Sequence, residues 1–96
     1  MAMVSAFYIR FRSQPIDLAE DPDEAATPLR GGFVLRIGRR SLINLLIRWQ
    51  SVGINHVVLG VQYGRRPASE VLAELAQEVL PHFPTHAAPL SIEIQW

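Results

Sequence analysis

The sequence predicts a small α/β domain with the element order β-β-α-β-α-β. Apolar residues recur at helical spacing in two segments that start after Gly38 and at Pro67, and extended patterns flank both segments. The chain has 96 residues, of which 49% are hydrophobic, so it can form one packed core. We therefore expect a single domain over residues 1–96.

The first half of the chain predicts two strands separated by a long acidic loop. Apolar and polar side chains alternate in residues 6–12, which is typical of a strand with one buried face. Residues 13–29 carry three prolines and five carboxylates, so we expect a loop there. Alternation returns in residues 31–37, the second predicted strand. The first and last predicted strands are amphipathic, and we expect them at the edges of the sheet.

The predicted first helix begins near Arg39 to Ser41 and ends before Gly53, which suits the left-handed position after a helix. Its buried stripe comprises Leu42, Leu45, Leu46, Trp49 and Val52. Residues 54–63 form the next predicted strand. Their apolar run is continuous, which is typical of a strand covered on both faces in a parallel sheet.

The second helix starts with Pro67, whose missing N–H costs nothing in a first turn. Val71, Leu72, Leu75, Val79 and Leu80 are its expected core residues. Glu70, Glu74 and Glu78 recur every four positions and predict an exposed acidic row. Residues 90–96 alternate again and form the last predicted strand.

Composition excludes several classes of function. The net charge is zero, which argues against a nucleic-acid partner. No run of 18 apolar residues is present, so we expect no membrane span. The chain has no cysteine, which excludes disulfides and thiolate metal sites, and no other metal site is predicted. With no signal-peptide pattern at the start, we expect a cytoplasmic protein.

Two similar turns form the candidate binding site. Gly38-Arg39-Arg40 and Gly64-Arg65-Arg66 each follow a predicted strand and precede a predicted helix. Helix N-termini favour anions, because their backbone N–H groups lack partners and the helix dipole is positive there. These six residues could therefore bind a phosphate-bearing ligand. Alternatively, the arginines are solvated or pair with the acidic residues of the 17–24 loop.

A family resemblance rests mainly on residues 53–59 (Gly-Ile-Asn-His-Val-Val-Leu), 65–68 (Arg-Arg-Pro-Ala) and 78–84 (Glu-Val-Leu-Pro-His-Phe-Pro). These residues resemble the C-terminal end of luciferase-like flavin-dependent monooxygenases and oxidoreductases. The resemblance covers residues 5–86, and the strand in the 87–96 tail has no counterpart. It implies the last two βα units of a (β/α)8 barrel, with FMN or a deazaflavin as cofactor. The two Gly-Arg-Arg turns would then lie where such barrels bind phosphate.

The resemblance leaves two hypotheses about function. In the first, the chain is a fragment-like or truncated relative of these flavin-dependent enzymes and has no turnover on its own. In the second, it is an FMN- or phosphate-binding subunit, or an enzyme, whose site is completed by another copy or chain. No catalytic residue is predicted. Because part of a barrel exposes a sheet edge, we expect a homodimer or a higher oligomer.

Overall fold

A five-stranded mixed sheet forms the centre of the domain. The computed structural model describes residues 10–84 and 90–96. Its strands are β1 (Phe11–Leu18), β2 (Thr27–Leu29), β3 (Val34–Ile37), β4 (His56–Gly60) and β5 (Ser91–Gln95), and its helices are α1 (Arg39–Ser51) and α2 (Ala68–Glu74). A π-helical turn (Leu75–Val79) and a 3-10 turn (Leu80–His82) continue α2. The predicted α/β class is confirmed, but the observed order β-β-β-α-β-α-β has one strand more than predicted, because β2 lies in the segment predicted as a loop.

The strand order is β2-β3-β1-β4-β5. Strand β1 pairs in parallel with β3 and with β4, and β4 pairs in parallel with β5. Only β2 is antiparallel, and it lies at the edge beside β3. The β3-α1-β4 unit is thus parallel, as predicted. In a barrel of successive βα units β3 and β4 would pair directly, whereas here β1 lies between them. The likeness to a barrel segment stays a prediction.

Strand β1 corrects the prediction for the first half of the chain. Residues 6–9 of the predicted first strand lie outside the described residues, and β1 runs from Phe11 into the predicted loop. It is a central strand and not an edge. The Arg10 carbonyl accepts the N–H of Asn55, which directly precedes β4, so the backbone groups of Arg10 point toward β4. Because backbone groups of successive residues point to opposite sides of a strand, the Pro15 nitrogen points toward β3. Pairing with β3 begins only at Ile16, so the missing donor of Pro15 is tolerated.

The core lies between the sheet and the two helices. Its fully buried side chains include Ile16, Leu18, Ile37, Leu42, Leu46, Val57, Leu59, Val71, Leu75 and Val79. Val57, Val58 and Leu59 of β4 are all buried, as their continuous apolar run predicts. Val52 was assigned to the α1 stripe but is 67% exposed, because it follows the last turn of that helix. No helix in the described ranges has both the length and the apolar character needed to span a membrane.

Candidate functional site

The Gly38 turn is closed by the chain itself. The Gly38 N–H donates to the Glu24 carbonyl at 3.0 Å, and the Arg40 N–H donates to the Pro22 carbonyl at 2.8 Å. A Cβ on Gly38 would overlap the Asp21 carbonyl oxygen and lie 2.6 Å from the Pro22 carbonyl. Glycine is therefore required here for close approach of two backbone segments. The acidic loop thus occupies the N-terminus of α1, where the sequence predicts an anion.

Both arginines of this turn pair with carboxylates. Arg40 makes a two-pronged pair with Asp23, at 2.8 Å from Nε and 2.7 Å from Nη2. These hydrogen bonds lower the pKa of Asp23 and raise the pKa of Arg40. Arg39 reaches Glu74 at 3.3 Å and Glu78 at 3.7 Å. Pairing with the acidic residues of 17–24, the alternative left open by the sequence, therefore occurs between Arg40 and Asp23, and it also occurs between Arg65 and Asp17.

The second turn is anchored by a buried carboxylate. Asp17 Oδ1 accepts the Arg65 backbone N–H at 3.1 Å, and Asp17 Oδ2 accepts Arg65 Nε at 3.3 Å and Arg36 Nη1 at 3.1 Å. The Asp17 side chain is only 3% exposed. Burial alone raises the pKa of Asp17, but the hydrogen bonds from Arg65 and Arg36 outweigh it and lower that pKa. Asp17 is thus held as a carboxylate that joins β1, β3 and the turn after β4.

Glu74 connects the two turns. Its Oε1 accepts Arg66 Nη2 at 2.7 Å, and its Oε2 accepts Arg39 Nη1 at 3.3 Å. Arg66 also pairs with Glu70 at 2.8 Å. These carboxylates raise the pKa of Arg66. Glu74 belongs to the predicted exposed row, but that assignment is wrong, because its side chain is only 15% exposed between the two arginines.

The six predicted site residues therefore lie at one end of the sheet, with most of their donors already in use. The Gly64 N–H donates to the Val61 carbonyl at 3.3 Å. Arg65 has the most accessible guanidinium in the second turn, with 72% of its side chain exposed. Within the described residues its two terminal nitrogens have no protein partner. Arg65 is thus the residue of the predicted set best able to meet an external anion, and anion binding there stays a prediction.

A cleft near the carboxyl ends of β4 and β5 is the second candidate site. Its volume is about 420 Å³, and its lining residues are Ser13, Gln14, Pro15, Gly32, Phe33, Gly60, Gln62, Tyr63, Gln95 and Trp96. We call it the ring cleft. Pro15, Gly60 and Gln95 are successive cross-strand neighbours. Ligands of open α/β sheets bind at the carboxyl ends of the strands, which is where this cleft lies.

Aromatic rings and amides dominate the ring cleft. Phe33 and Tyr63 meet edge to face with ring centroids 5.0 Å apart, and the Arg30 guanidinium lies 5.9 Å from the Tyr63 centroid. Left-handed backbone at Arg30 and the next two residues makes the tight turn that presents Phe33. Trp96 is 68% exposed and Phe33 50% exposed, so both rings can contact a ligand. Together with the side chains of Gln62 and Gln95, this lining suits a flat ring that also forms hydrogen bonds.

The ring cleft was not predicted from the sequence. Ser13, Gln14 and Pro15 fall in the segment predicted as a loop, so their position on a central strand was missed. The available signal was the aromatic residues near strand ends, Phe33, Tyr63 and Trp96.

Among the described residues no group of three or more histidine, aspartate or glutamate side chains is placed to hold a metal ion.

No family model matches the chain, and no curated protein matches it. The resemblance to luciferase-like flavin-dependent enzymes therefore stays a prediction, and it depends on the residues named for it between positions 53 and 84. The geometry of the ring cleft is a separate observation that does not depend on that resemblance.

Proposed function

We propose that this chain binds a flavin nucleotide in the ring cleft and has no turnover on its own, as a fragment-like relative of luciferase-like flavin-dependent monooxygenases. The observation that supports the proposal is a cleft of about 420 Å³ lined by three aromatic rings and three glutamines. Ligand pockets of about 300–1,000 Å³ commonly combine apolar walls with a few polar groups that fix orientation. Binding is thus the function that this geometry supports best.

The flat isoalloxazine ring matches both parts of this lining. Exposed aromatic side chains such as Trp96 and Phe33 offer apolar surface on which a heteroaromatic ring stacks. The amides of Gln62 and Gln95 each offer donors and an acceptor for the polar edge of such a ring. Because these groups are neutral, they favour a neutral ring over a charged one.

The flavin phosphate is assigned to Arg65. This residue follows Tyr63 after a single glycine, so its guanidinium belongs to the same turn as the cleft wall. Its Nε is held by Asp17, while its terminal nitrogens face solvent. Arginine binds phosphate in a two-pronged manner, which suits this orientation.

The absence of turnover is inferred from the side chains that line the cleft. Tyr63 is the only titratable residue among the lining residues that the structure describes. General acid–base catalysis needs a proton donor or acceptor that is positioned by its neighbours beside the reacting atom, and the described lining offers a single ionisable side chain for that task. A bound flavin supplies redox chemistry. The residues of this chain would hold and orient the ring without moving a proton for it.

Flavin fluorescence tests the proposal. Titrating the protein into FMN should quench the flavin with a dissociation constant at or below about 100 μM. Tyr63→Ala should weaken binding about tenfold, because aromatic stacking contributes roughly 1–3 kcal/mol per ring. Phe11→Ala is the control, since Phe11 is also an exposed aromatic residue, at 58% against 36% for Tyr63, but does not line the cleft. Equal loss in both variants, or no quenching at 100 μM protein, would contradict the proposal.

A further inference from the structure

Strand β5 lies at an edge of the sheet that the structure describes. It lies at the end of the strand order, and β4 is its only neighbour in the described part of the chain. The Ser91 N–H donates to the Asn55 carbonyl, and the Gln95 carbonyl accepts the Val61 N–H. Since alternate residues of a strand bond opposite neighbours, the backbone groups of Ile92 and Ile94 point outward. These groups form a template for a further strand.

Residues 91–96 themselves carry little of the usual protection against strand pairing. Natural edge strands are blocked by proline, lysine, bulges or covering loops. Residues 91–96 contain neither proline nor lysine. Their single charged side chain is that of Glu93, whose Oε1 lies 3.4 Å from His56 Nε2 of the same sheet. Trp96 follows directly and is 68% exposed, so a large apolar surface lies at the end of the open edge.

We propose that β5 pairs in antiparallel fashion with β5 of a second copy, across a two-fold axis at Ile94. The two sheets would form one continuous sheet, with the helices of both copies on the same side. A two-fold interface brings the same surface of each copy together, which requires that surface to be self-complementary. The residues of β5 meet this requirement when the pair is centred on Ile94.

Centring the pair on Ile94 places compatible side chains opposite each other. Ile94 faces the partner's Ile94, Trp96 faces the partner's Ile92, and Gln95 faces the partner's Glu93. Cross-strand pairs of this kind stabilise sheets, by apolar contact on one face and by amide–carboxylate hydrogen bonds on the other. Centring the pair on Glu93 instead would place two carboxylates directly opposite, which is destabilising. Glu93 therefore excludes the register centred on itself.

The proposed interface adjoins the ring cleft. Gln95 and Trp96 line the cleft and also belong to the proposed strand pair. The second copy would then place its Ile92 beside the indole that forms one cleft wall. Dimer formation does not depend on flavin binding, because Ile92 and Ile94, whose backbone groups would pair, do not line the cleft.

Single cysteines test the register, because the chain has none of its own. In the proposed pair the two Ile94 Cα atoms lie about 5.5 Å apart, within the range for a disulfide. Ile94→Cys should therefore give a cross-linked dimer under mild oxidation. Ser91→Cys is the matched control. Its two copies would be about 20 Å apart at 3.4 Å per residue, so it should remain uncross-linked.

Because Ile94 packs against the core, its substitution can also disturb folding, and a second variant at an exposed residue avoids this problem. Trp96 is exposed, so Trp96→Ala should keep the circular dichroism spectrum of the folded chain. It should raise the dimer dissociation constant about tenfold in sedimentation equilibrium, since buried tryptophans dominate interface energies. Stronger cross-linking at Glu93→Cys than at Ile94→Cys would overturn the register. A monomeric mass for the unmodified chain at micromolar concentration would overturn the dimer.

Discussion

The Asp17 carboxylate accepts the backbone N–H of Arg65 at 3.1 Å, although 48 positions separate the two residues. This bond ties the end of β1 to the turn that follows β4. Arg36 of β3 donates to the same carboxylate, so three segments meet at one buried charge. A buried, fully hydrogen-bonded charge of this kind penalises any arrangement that leaves it unpaired. Asp17 therefore helps to place the turn that carries Tyr63 and Arg65.

Asp17 should make the free energy of unfolding depend on pH in the acidic range. Its pKa is lower in the folded chain than in the unfolded chain, because Arg65 and Arg36 stabilise the carboxylate. The unfolded chain therefore binds the proton first as the pH falls. The stabilisation should be complete above about pH 4 and be lost as the pH falls below that value toward the folded pKa. Urea unfolding at a series of pH values, followed by tryptophan fluorescence, measures this loss.

Asp17→Asn should remove part of this dependence and destabilise the domain at neutral pH. The expected loss is about 2 kcal/mol, because the donors of Arg36 and Arg65 lose a charged acceptor whose own side chain is only 3% exposed. Asp23→Asn is the control, since Asp23 is an exposed carboxylate paired with Arg40. The free energy of unfolding of this variant should stay almost unchanged. Equal destabilisation by the two substitutions would show that the buried junction has no special role.

The two Gly-Arg-Arg turns should respond differently to alanine. A Cβ at Gly38 would overlap the Asp21 carbonyl, whereas a Cβ at Gly64 meets its nearest atoms at 3.5 Å, an ordinary contact. Gly38→Ala should therefore cost about 2 kcal/mol by overpacking. Gly64→Ala should change stability by less than about 0.5 kcal/mol. Thermal unfolding of both variants measures the difference, and similar melting temperatures would contradict the described closure of the α1 N-terminus.

Glu74 should contribute more to stability than Glu70, although both precede the π-helical turn and both pair with Arg66. Glu74 is 15% exposed and also binds Arg39, whereas Glu70 is 55% exposed. Glu74→Gln should cost about 1–2 kcal/mol, because two partly buried guanidinium groups lose their shared carboxylate. Glu70→Gln should cost less than about 0.5 kcal/mol. Urea denaturation provides both values, and a larger loss at Glu70 would contradict the bridging role of Glu74.

Periodic patterns predicted the second half of the fold well. The apolar spacing after Gly38 and the left-handed position at Gly53, with φ of 100°, bound α1 as predicted. The continuous apolar run of β4 correctly indicated that the successive residues Val57, Val58 and Leu59 are buried. These predictions succeed because the patterns reflect burial within a single element.

Strand β1 escaped prediction because its signals depend on partners far along the chain. Asp17 and Pro15 argue against a strand when only neighbouring residues are considered. In the fold, Asp17 is satisfied by Arg36 and Arg65, and Pro15 lies before pairing with β3 begins. The ring cleft was missed for the same reason, since its lining comes from four separate segments. The sequence predicted where the two arginine turns lie and that residues 17–24 are possible partners of their arginines. It did not predict that Glu74 pairs with Arg39 and Arg66.

The most direct test of flavin binding is the location of FMN by nuclear magnetic resonance on the isotope-labelled chain. Adding FMN should shift the backbone amide signals of Phe33, Gly60 and Tyr63 and the indole signal of Trp96, with a smaller shift at Arg65. The amides of Gly38 and Arg40 should not move, because backbone carbonyls already bind them. Shifts confined to residues 38–40, or no shift at about 1 mM FMN, would contradict binding in the ring cleft.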